Sequence, residues 1–347
     1  MRLVSGKGSE ITNDSGQPAY SKTDNIRSYW REVLATLMKI ATVTLNPAID
    51  QTVRVDNFRP NRVNRAQEIS FDASGKGVNV ASFLTDYGYE TAVTGYLGQT
   101  NVDIFEQFFA SKGIDDWFVC IPGNTRINVK VVDEVNQQTT DINMPGQPPP
   151  QEAMSTLLET IEQLAHTCDW FVLSGSLPPD VPAAIYATII SQLKRQKKRI
   201  ILDTSGEALR EGIQAGPTIV KPNIDELQYL IGHPLTSEAE IQQVAHQLLN
   251  EDIELVVVSM GGQGAMLVEQ TTTLIATPPE VTVKKTFGAG DAMVAGLVTA
   301  QIQGLSLADC GRLATAFSVG AIAHLGYKLP PRDILWRYFH QVYIRNY

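Results

Sequence analysis

Hydrophobic and polar positions follow a regular alternation of two patterns from residue 39 onward. Short apolar runs of strand length alternate with stretches whose apolar positions recur at helical spacing. The runs predict buried strands beginning at Lys39 and at 90–97, 169–175, 199–204, 217–223 and 255–260. The stretches between them predict helices at 78–88, 154–166 and 238–250. This alternation is typical of βαβ units built on a parallel sheet, so we predict an α/β fold.

Two segments, at about 50–72 and 117–144, instead alternate polar and apolar residues at period two. This pattern predicts half-exposed antiparallel strands, which we expect to form a small separate sheet. Ligands of open α/β sheets bind at the carboxyl ends of the parallel strands, where such a sheet would act as a lid. An exposed sheet can pair with another copy, so we predict a homodimer through the lid.

The first 37 residues differ from the rest of the chain. A polar, turn-rich stretch leads into a segment with helical apolar spacing, and it lacks the apolar core of a secretory signal. GKGS at 6–9 lacks the glycine spacing and the preceding strand of a phosphate-binding loop. We therefore predict an extension at 1–37, whose role the sequence does not assign, and one catalytic domain at 38–347.

Composition narrows the class of protein. A formal net charge of -9 without a basic stripe argues against nucleic-acid binding, and the apolar runs are shorter than the roughly 20 residues of a membrane span. The three cysteines are far apart, and the five histidines have no metal-ligand spacing. The sequence predicts a cytoplasmic protein that binds neither nucleic acid nor membranes.

The segment KTFGAGDAMVAGL (285–297) places a carboxylate behind a glycine-rich turn at the start of a predicted helix. Backbone N–H groups at a helix start lack partners, and Gly288 and Gly290 let them approach an anion. Asp291 would repel a phosphate there unless it removes the proton from a hydroxyl that attacks that phosphate. The alternative is that Asp291 only caps the helix.

Other strand ends carry side chains suited to binding a small anionic ligand. In SGKGVNVA (74–81), Lys76 lies between two glycines and suits an anion better than packing, although an ordinary capped turn is the alternative. Asp50 suits a sugar hydroxyl or a turn. In TRINVK (125–130), Arg126, Asn128 and Lys130 share one strand face, where Arg126 either grips a phosphate or is a solvated edge residue.

Two further loops suggest nucleotide chemistry. Asn223 and Glu226 lie three residues apart on one helical turn, where their oxygens could order Mg²⁺ or cap the helix. The glycine-rich turn SMGGQGA (259–265) follows a buried strand and has room for a nucleotide.

Together these motifs resemble the PfkB-type, ribokinase-like carbohydrate kinases, in particular their 1-phosphofructokinase and tagatose-6-phosphate kinase branch. SGKGVNVA is similar to the amino-terminal family signature and TFGAGDAMVAGL to the carboxy-terminal one. TLNPAID, TRINVK, TDINMPG, SGSLPP and KPNIDEL occur between them in the order of that branch. The resemblance covers about residues 38–345. It implies a three-layer αβα sandwich with a mainly parallel central sheet and a small β-sheet lid.

The resemblance also implies an activity: transfer of the γ-phosphoryl of ATP, with Mg²⁺, to the C6 hydroxyl of fructose 1-phosphate. The implied catalytic base is Asp291, and the implied anion hole comprises Gly288, Ala289 and Gly290. The implied substrate contacts are Asp50, Gly75, Lys76, Asn79, Arg126 and Lys130, with Lys76 and Arg126 on the substrate's own phosphate. The implied nucleotide contacts are Lys221, Asn223, Ser259, Gly261, Gly264 and Gly288, and Asn223 and Glu226 are the implied Mg²⁺ residues, directly or through water.

Two positions depart from the family pattern. Lys285 stands where relatives that bind a monovalent cation often carry an acidic residue, so potassium activation is not expected. Ala292 replaces the serine that commonly follows the aspartate. Tagatose 6-phosphate and fructose 6-phosphate are alternative substrates, and a non-catalytic sugar-phosphate sensor is the alternative from another class.

Overall fold

The computed structural model describes residues 38–285, 287–324 and 328–347. The predictions made for 1–37, including the helical segment and the loop at 6–9, lie outside the described residues. In chain order the strands are β1 (Lys39–Thr44), β2 (Ala48–Arg54), β3 (Glu68–Ser74), β4 (Glu90–Gly98), β5 (Asp115–Asp116), β6 (Val119–Ile121), β7 (Arg126–Asp133), β8 (Gln138–Ile142), β9 (Trp170–Ser174), β10 (Arg199–Asp203), β11 (Ile219–Val220), β12 (Leu255–Ser259), β13 (Ala265–Val268), β14 (Thr273–Thr277) and β15 (Tyr343–Asn346). The helices are α1 (Lys76–Tyr87), α2 (Asp103–Lys112), α3 (Gln151–Ala165), α4 (Ile185–Arg195), α5 (Gly206–Gln214), α6 (Ile224–Ile231), α7 (Glu238–Gln247), α8 (Ala289–Ile302), α9 (Leu307–Ala323) and α10 (Arg332–Gln341).

The large sheet has the strand order β15-β14-β13-β12-β11-β10-β9-β1-β4-β5, with β6 also paired to β4. Every pairing from β12 to β5 and β6 is parallel, and the three pairings from β12 to β15 are antiparallel. The carboxyl ends of the central strands therefore meet at one edge, which is where ligands of such sheets bind.

Both faces of the central strands are buried, which explains their nearly continuous apolar runs. In β9, Phe171 and Leu173 pack with helices α3 to α7 on one face. Trp170 and Val172 pack with α1, α8, α9 and α10 on the other. These two hydrophobic layers enclose the sheet, and the predicted three-layer αβα fold is confirmed.

The small sheet has the order β3-β2-β7-β8 and is separate from the large one. It forms the predicted lid, with one difference: β6, which lies in the segment 117–144, pairs in parallel with β4 of the large sheet. The alternation of polar and apolar residues in this segment predicted a lid strand. An edge strand of the main sheet is also half exposed and shows the same alternation. The expected strand 217–223 is also much shorter, because only Ile219 and Val220 pair with neighbours.

Within residues 38–285, 287–324 and 328–347, no helix is both long and apolar enough to cross a membrane.

Candidate active site

The start of α8 carries the carboxylate that the sequence singles out. Gly288 precedes the helix with a φ of 83°, a left-handed conformation that glycine adopts without strain. Asp291 lies in the first turn and is buried, and one of its oxygens accepts a hydrogen bond of 2.7 Å from Nδ2 of Asn79 in α1. Burial raises the pKa of Asp291 above its ordinary value. The structure thus brings two predicted site residues together across 212 positions of sequence.

A second buried carboxylate, Asp203 at the end of β10, lies between two lysines. Its Oδ1 is 3.1 Å from Nζ of Lys76 and 3.2 Å from Nζ of Lys221, and the residue is 1% exposed. Burial acts to raise the pKa of Asp203, but the charges of Lys221 and Lys76 outweigh it and the pKa is lowered. Sequence reasoning missed Asp203. Its position in the sequence could have identified it, because a carboxylate at the carboxyl end of a buried strand lies at the edge of the sheet where ligands bind.

Lys76 and Lys221 lie beside the glycine turn before Asp291. A Cβ atom added to Gly290 would be 3.8 Å from Nζ of Lys221, so this ammonium group is close to the turn. Burial alone would lower the pKa of Lys76, but the charges of Asp203, Glu226 and Asp291 raise it overall. The structure therefore groups Lys76 with Lys221, and the predicted contact of Lys76 with the substrate's own phosphate stays a prediction.

The glycines at the start of α1 are required because the helix start packs closely against β1 and the loop after it. Gly75 has a φ of 135°, and a Cβ there would come within 3.1 Å of the Cα of Pro47. A Cβ on Gly77 would lie 2.2 Å from Oγ1 of Thr44 in β1. This part of the GKG motif is explained by packing of the helix start onto the sheet, which leaves Lys76 as the residue available for chemistry.

The inner face of the lid contributes a polar cluster centred on Asp50. Nζ of Lys130 is 2.6 Å from Oδ2 of Asp50, and Nδ2 of Asn128 donates to Oδ1 at 3.3 Å. All three residues are buried, and Nζ of Lys130 also lies 3.8 Å from the ring centroid of Phe287. Through this cation–π contact the lid reaches the loop that contains Gly288.

Arg126, predicted to grip a phosphate, is engaged with the backbone. Its guanidinium donates to the carbonyl oxygens of Pro47 at 3.2 Å, Met144 at 2.6 Å and Asn46 at 2.8 Å. Burial lowers its pKa. Arg126 thus connects the lid to the loop after β1. These backbone contacts explain its position, so neither of the two predicted roles, a phosphate contact or a solvated residue of an edge strand, is needed.

Asn223 and Glu226 form a reciprocal cap at the start of α6. The Asn223 side chain accepts from the Glu226 N–H at 2.7 Å, and Glu226 Oε2 accepts from the Asn223 N–H at 2.8 Å. Glu226 keeps a second oxygen, and burial raises its pKa. Nearby, Oδ2 of Asp203 is buried without a hydrogen-bond partner. Carboxylate oxygens of this kind fit a partly hydrated Mg²⁺, although the described residues hold no cluster of three His, Cys, Asp or Glu side chains.

The glycine turn after β12 lies beside this cap. Ser259 pairs with Asn223 through a parallel bridge, so the two strand ends are adjacent. Open space surrounds the positions where Gly261 and Gly262 would carry a Cβ, which suits a bound nucleotide. Gly264 has a different explanation, since a Cβ there would lie 1.9 Å from the carbonyl oxygen of Ala276.

Comparison with known proteins agrees with this geometry. Residues 37–332 match the model of the family described as pfkB family carbohydrate kinase. A 1-phosphofructokinase of Rhodobacter capsulatus is 45% identical over 299 residues, which cover 86% of this chain and 95% of that protein. A 1-phosphofructokinase of Xanthomonas campestris is 42% identical over 287 residues, covering 81% of this chain and 90% of that protein.

Solved structures of a phosphofructokinase are also similar to this chain. Phosphofructokinase-2 of Escherichia coli in complex with fructose-6-phosphate has a TM-score of 0.81 at 27% identity, covering 88% of this chain and 99% of that one. The tetrameric inhibited form of that enzyme has a TM-score of 0.80 at 27% identity, with the same coverage of both chains.

The relatives named 1-phosphofructokinase, together with the matching family model, define a phosphotransferase that acts on an alcohol group. The sequence and structure comparisons narrow this class. The chain belongs to the pfkB family of carbohydrate kinases.

Proposed function

We propose that this kinase transfers the γ-phosphoryl group of ATP to the C6 hydroxyl of fructose 1-phosphate, giving fructose 1,6-bisphosphate and ADP. The observation that carries the proposal is the buried carboxylate of Asp291 at the start of α8, oriented by Asn79. The curated relatives named 1-phosphofructokinase, at 45% and 42% identity over most of their length, support this choice of substrate.

Asp291 is the proposed general base. Asn79 holds its Oδ2, so Oδ1 is available to take the proton of the C6 hydroxyl. The oxygen of that hydroxyl then forms a bond to the γ-phosphorus, while the bond from phosphorus to the bridging oxygen breaks and its electrons stay with ADP. Oδ1 of Asn79 is itself buried without a hydrogen-bond partner, and a sugar hydroxyl would satisfy it.

The backbone at Gly288, Ala289 and Gly290 is proposed to bind the oxygens of the migrating group. Their N–H groups begin a helix, and the positive end of its dipole favours the charge that develops there. Lys76 and Lys221 lie beside this turn, and their two positive charges exceed the single negative charge of Asp203 that they share. Electrostatic stabilisation of this kind supplies most of the catalysis in phosphoryl transfer, and proximity supplies the rest.

ATP and Mg²⁺ are the proposed cofactors. Glu226 would hold Mg²⁺ directly or through water, with Asn223 beside it, and the ion would neutralise charge on the phosphates. Gly261 and Ser259 are proposed to border the nucleotide, because open space adjoins the glycine turn at this strand end. We place the reaction in the cytoplasm, where thiols such as the unpaired Cys120 stay reduced.

A substrate panel tests this function. Purified enzyme with MgATP is assayed on fructose 1-phosphate, fructose 6-phosphate and tagatose 6-phosphate. We expect the highest kcat/KM on fructose 1-phosphate, and a loss of about 10²–10⁴ in kcat for Asp291→Asn. Preference for a 6-phosphate would refute the choice of substrate, and the neighbour that binds fructose-6-phosphate makes this the second candidate. Equally low turnover in wild type and Asp291→Asn would support a sensor instead.

The lid is proposed to pair with a second copy of the chain. Its outer face carries large apolar side chains that are 37–52% exposed: Ile69, Phe71, Ile127 and Ile142. Register places them on one face, opposite Asp50 and Lys130. A patch of this kind on a sheet is typical of an interface between proteins. Sedimentation velocity should show a wild-type dimer and a Phe71→Glu monomer; unchanged assembly of the variant would contradict the proposal.

Residues 38–347 are proposed to be sufficient for catalysis, with 1–37 as an extension. A chain that begins at Met38 should retain full activity. An insoluble or inactive product would count against this division.

A further inference from the structure

Two pairs of lysines lie near different parts of the segment before Asp291. Lys76 and Lys221 meet at the carboxylate of Asp203, close to Gly290. Lys130 and Lys285 meet at Phe287, with their Nζ atoms 3.8 and 5.2 Å from its ring centroid. The proposed reaction involves two anionic groups, the phosphoryl group in transfer and the phosphate already on the sugar. Each of the two groups could therefore meet a different pair of lysines.

The second pair lines an open cavity of about 1040 Å³ beneath the inner face of the lid. Lys130, Lys285 and Phe287 form part of its wall, and the polar side chains of Thr52, Ser70 and Asp72 face it from the lid. A cavity of this size accommodates a phosphorylated hexose. It therefore offers a place for the end of the substrate that does not react.

Two of the cations that the family resemblance assigns to the substrate, Arg126 and Lys130, have protein partners. Arg126 donates to three backbone carbonyls, and Lys130 is paired with the buried carboxylate of Asp50. A phosphate would have to compete with these contacts, as it would with the protein contacts of Lys285. Lys285 is a further cation at the same cavity, and it is only 7% exposed.

Burial and a neighbouring cation disfavour the charged form of Lys285. Burial lowers its pKa to about 8, Asp291 and Asp72 act to raise it, and Lys130 lowers it further. Lys284 is exposed beside it. A dianion at Lys285 would offset both the burial and the repulsion from Lys130, because an opposite charge within a few ångströms favours the charged ammonium.

We propose that Lys285 binds the phosphate carried by the sugar substrate and so determines the preference for phosphorylated over unphosphorylated sugars. This rests on the proposed kinase function, and it assigns Lys285 a role in specificity and none in the chemical step. It also gives a physical reason for a lysine in a buried position before the anion hole, where a side chain without charge would pack more easily.

Kinetics of Lys285→Met, Lys285→Arg and the control Lys328→Met, at an exposed lysine that does not line this cavity, test the proposal. Each variant is assayed with fructose 1-phosphate, with unphosphorylated fructose and with varied ATP. A charge-assisted hydrogen bond to phosphate corresponds to a change of about 10- to 100-fold. We expect kcat/KM for fructose 1-phosphate to fall by that factor in Lys285→Met and to be largely retained in Lys285→Arg and Lys328→Met. The KM for ATP and the activity on fructose should be unchanged.

The pH profile gives a second measurement that a purely structural role would not affect. Lys285 carries its charge below its pKa of about 8 and loses it above. KM for fructose 1-phosphate should therefore rise above pH 8 in the wild type and stay flat in Lys285→Arg, whose guanidinium remains charged.

The outcomes separate this proposal from the proposed function. A wild-type enzyme without activity on any phosphosugar would refute both. An active wild type whose Lys285→Met variant keeps its kcat/KM on fructose 1-phosphate would overturn the role of Lys285 alone. A rise in KM for ATP in place of the sugar would do the same, because it would assign Lys285 to the nucleotide phosphates.

Discussion

Replacement of Asp203 by asparagine should destabilise the protein and reduce its activity together. The substitution keeps the size of the side chain but removes the negative charge that two lysines share, at 3.1 Å from Lys76 and 3.2 Å from Lys221. Lys221 is 4% exposed and Asp203 1% exposed, so water cannot replace the lost charge at Lys221, whereas the side chain of Lys76 is 38% exposed. Two ammonium groups would then face each other beside the anion hole.

The magnitude follows from burial. Removing one partner of a buried ion pair costs about 3–5 kcal/mol, and we expect the lower end because the asparagine oxygen can still accept from a lysine. Asp333→Asn is the matched control, since Asp333 forms a pair with Arg337 at 3.0 Å that is 71% and 69% exposed. An exposed pair of this kind contributes about 0–1 kcal/mol.

The assay is urea unfolding followed by circular dichroism, for wild type, both variants and the double variant Asp203→Asn with Lys221→Met. The double variant should recover part of the lost free energy of unfolding, because it removes a charge left without its partner. Asp203 has a lowered folded-state pKa, so its stabilisation is present above the unfolded value of about 3.9 and is lost as pH falls through the folded value. The difference between wild type and Asp203→Asn should therefore narrow below about pH 4.

An equal and small loss of stability in Asp203→Asn and Asp333→Asn would refute the reasoning. It would show that Lys76 and Lys221 do not depend on Asp203 for neutralisation.

Two more predictions concern the helix that carries the base. Burial raises the pKa of Asp291 overall, although the hydrogen bond from Asn79 acts to lower it. As pH is lowered, kcat/KM should therefore begin to fall at a higher pH than the pKa of an ordinary aspartate would give. In Asn79→Ala this limb should move to higher pH in a pH–rate profile, and an unmoved limb would assign it to another group. Gly296→Ala should destabilise by about 1–3 kcal/mol in thermal unfolding, because its Cβ would lie 2.6 Å from Cα of Ala314 in α9. Gly262→Ala, with open space around its Cβ, is the control, and equal melting temperatures would show that α8 and α9 can separate freely.

Much of the fold and part of the site could be predicted from the chain itself. The strands and helices of the αβα layers appear as apolar periodicity, because burial on one or both faces acts directly on residue type. Asp291 could be singled out because the glycine turn and helix start around it are consecutive in sequence. β6 could not be assigned to its sheet, since an edge strand of either sheet alternates in the same way.

The sequence by itself determined the layered fold, the lid and the residues at the helix starts, since those depend on local spacing. The tertiary structure alone decided the partners of the charged side chains. Asp203 joins Lys76 to Lys221, Lys130 turns to Asp50, and Arg126 binds backbone carbonyls. These pairs link residues from 18 to 127 positions apart, and electrostatic neutralisation depends on distance in space. No local pattern of residues can therefore show which protein group each cation contacts.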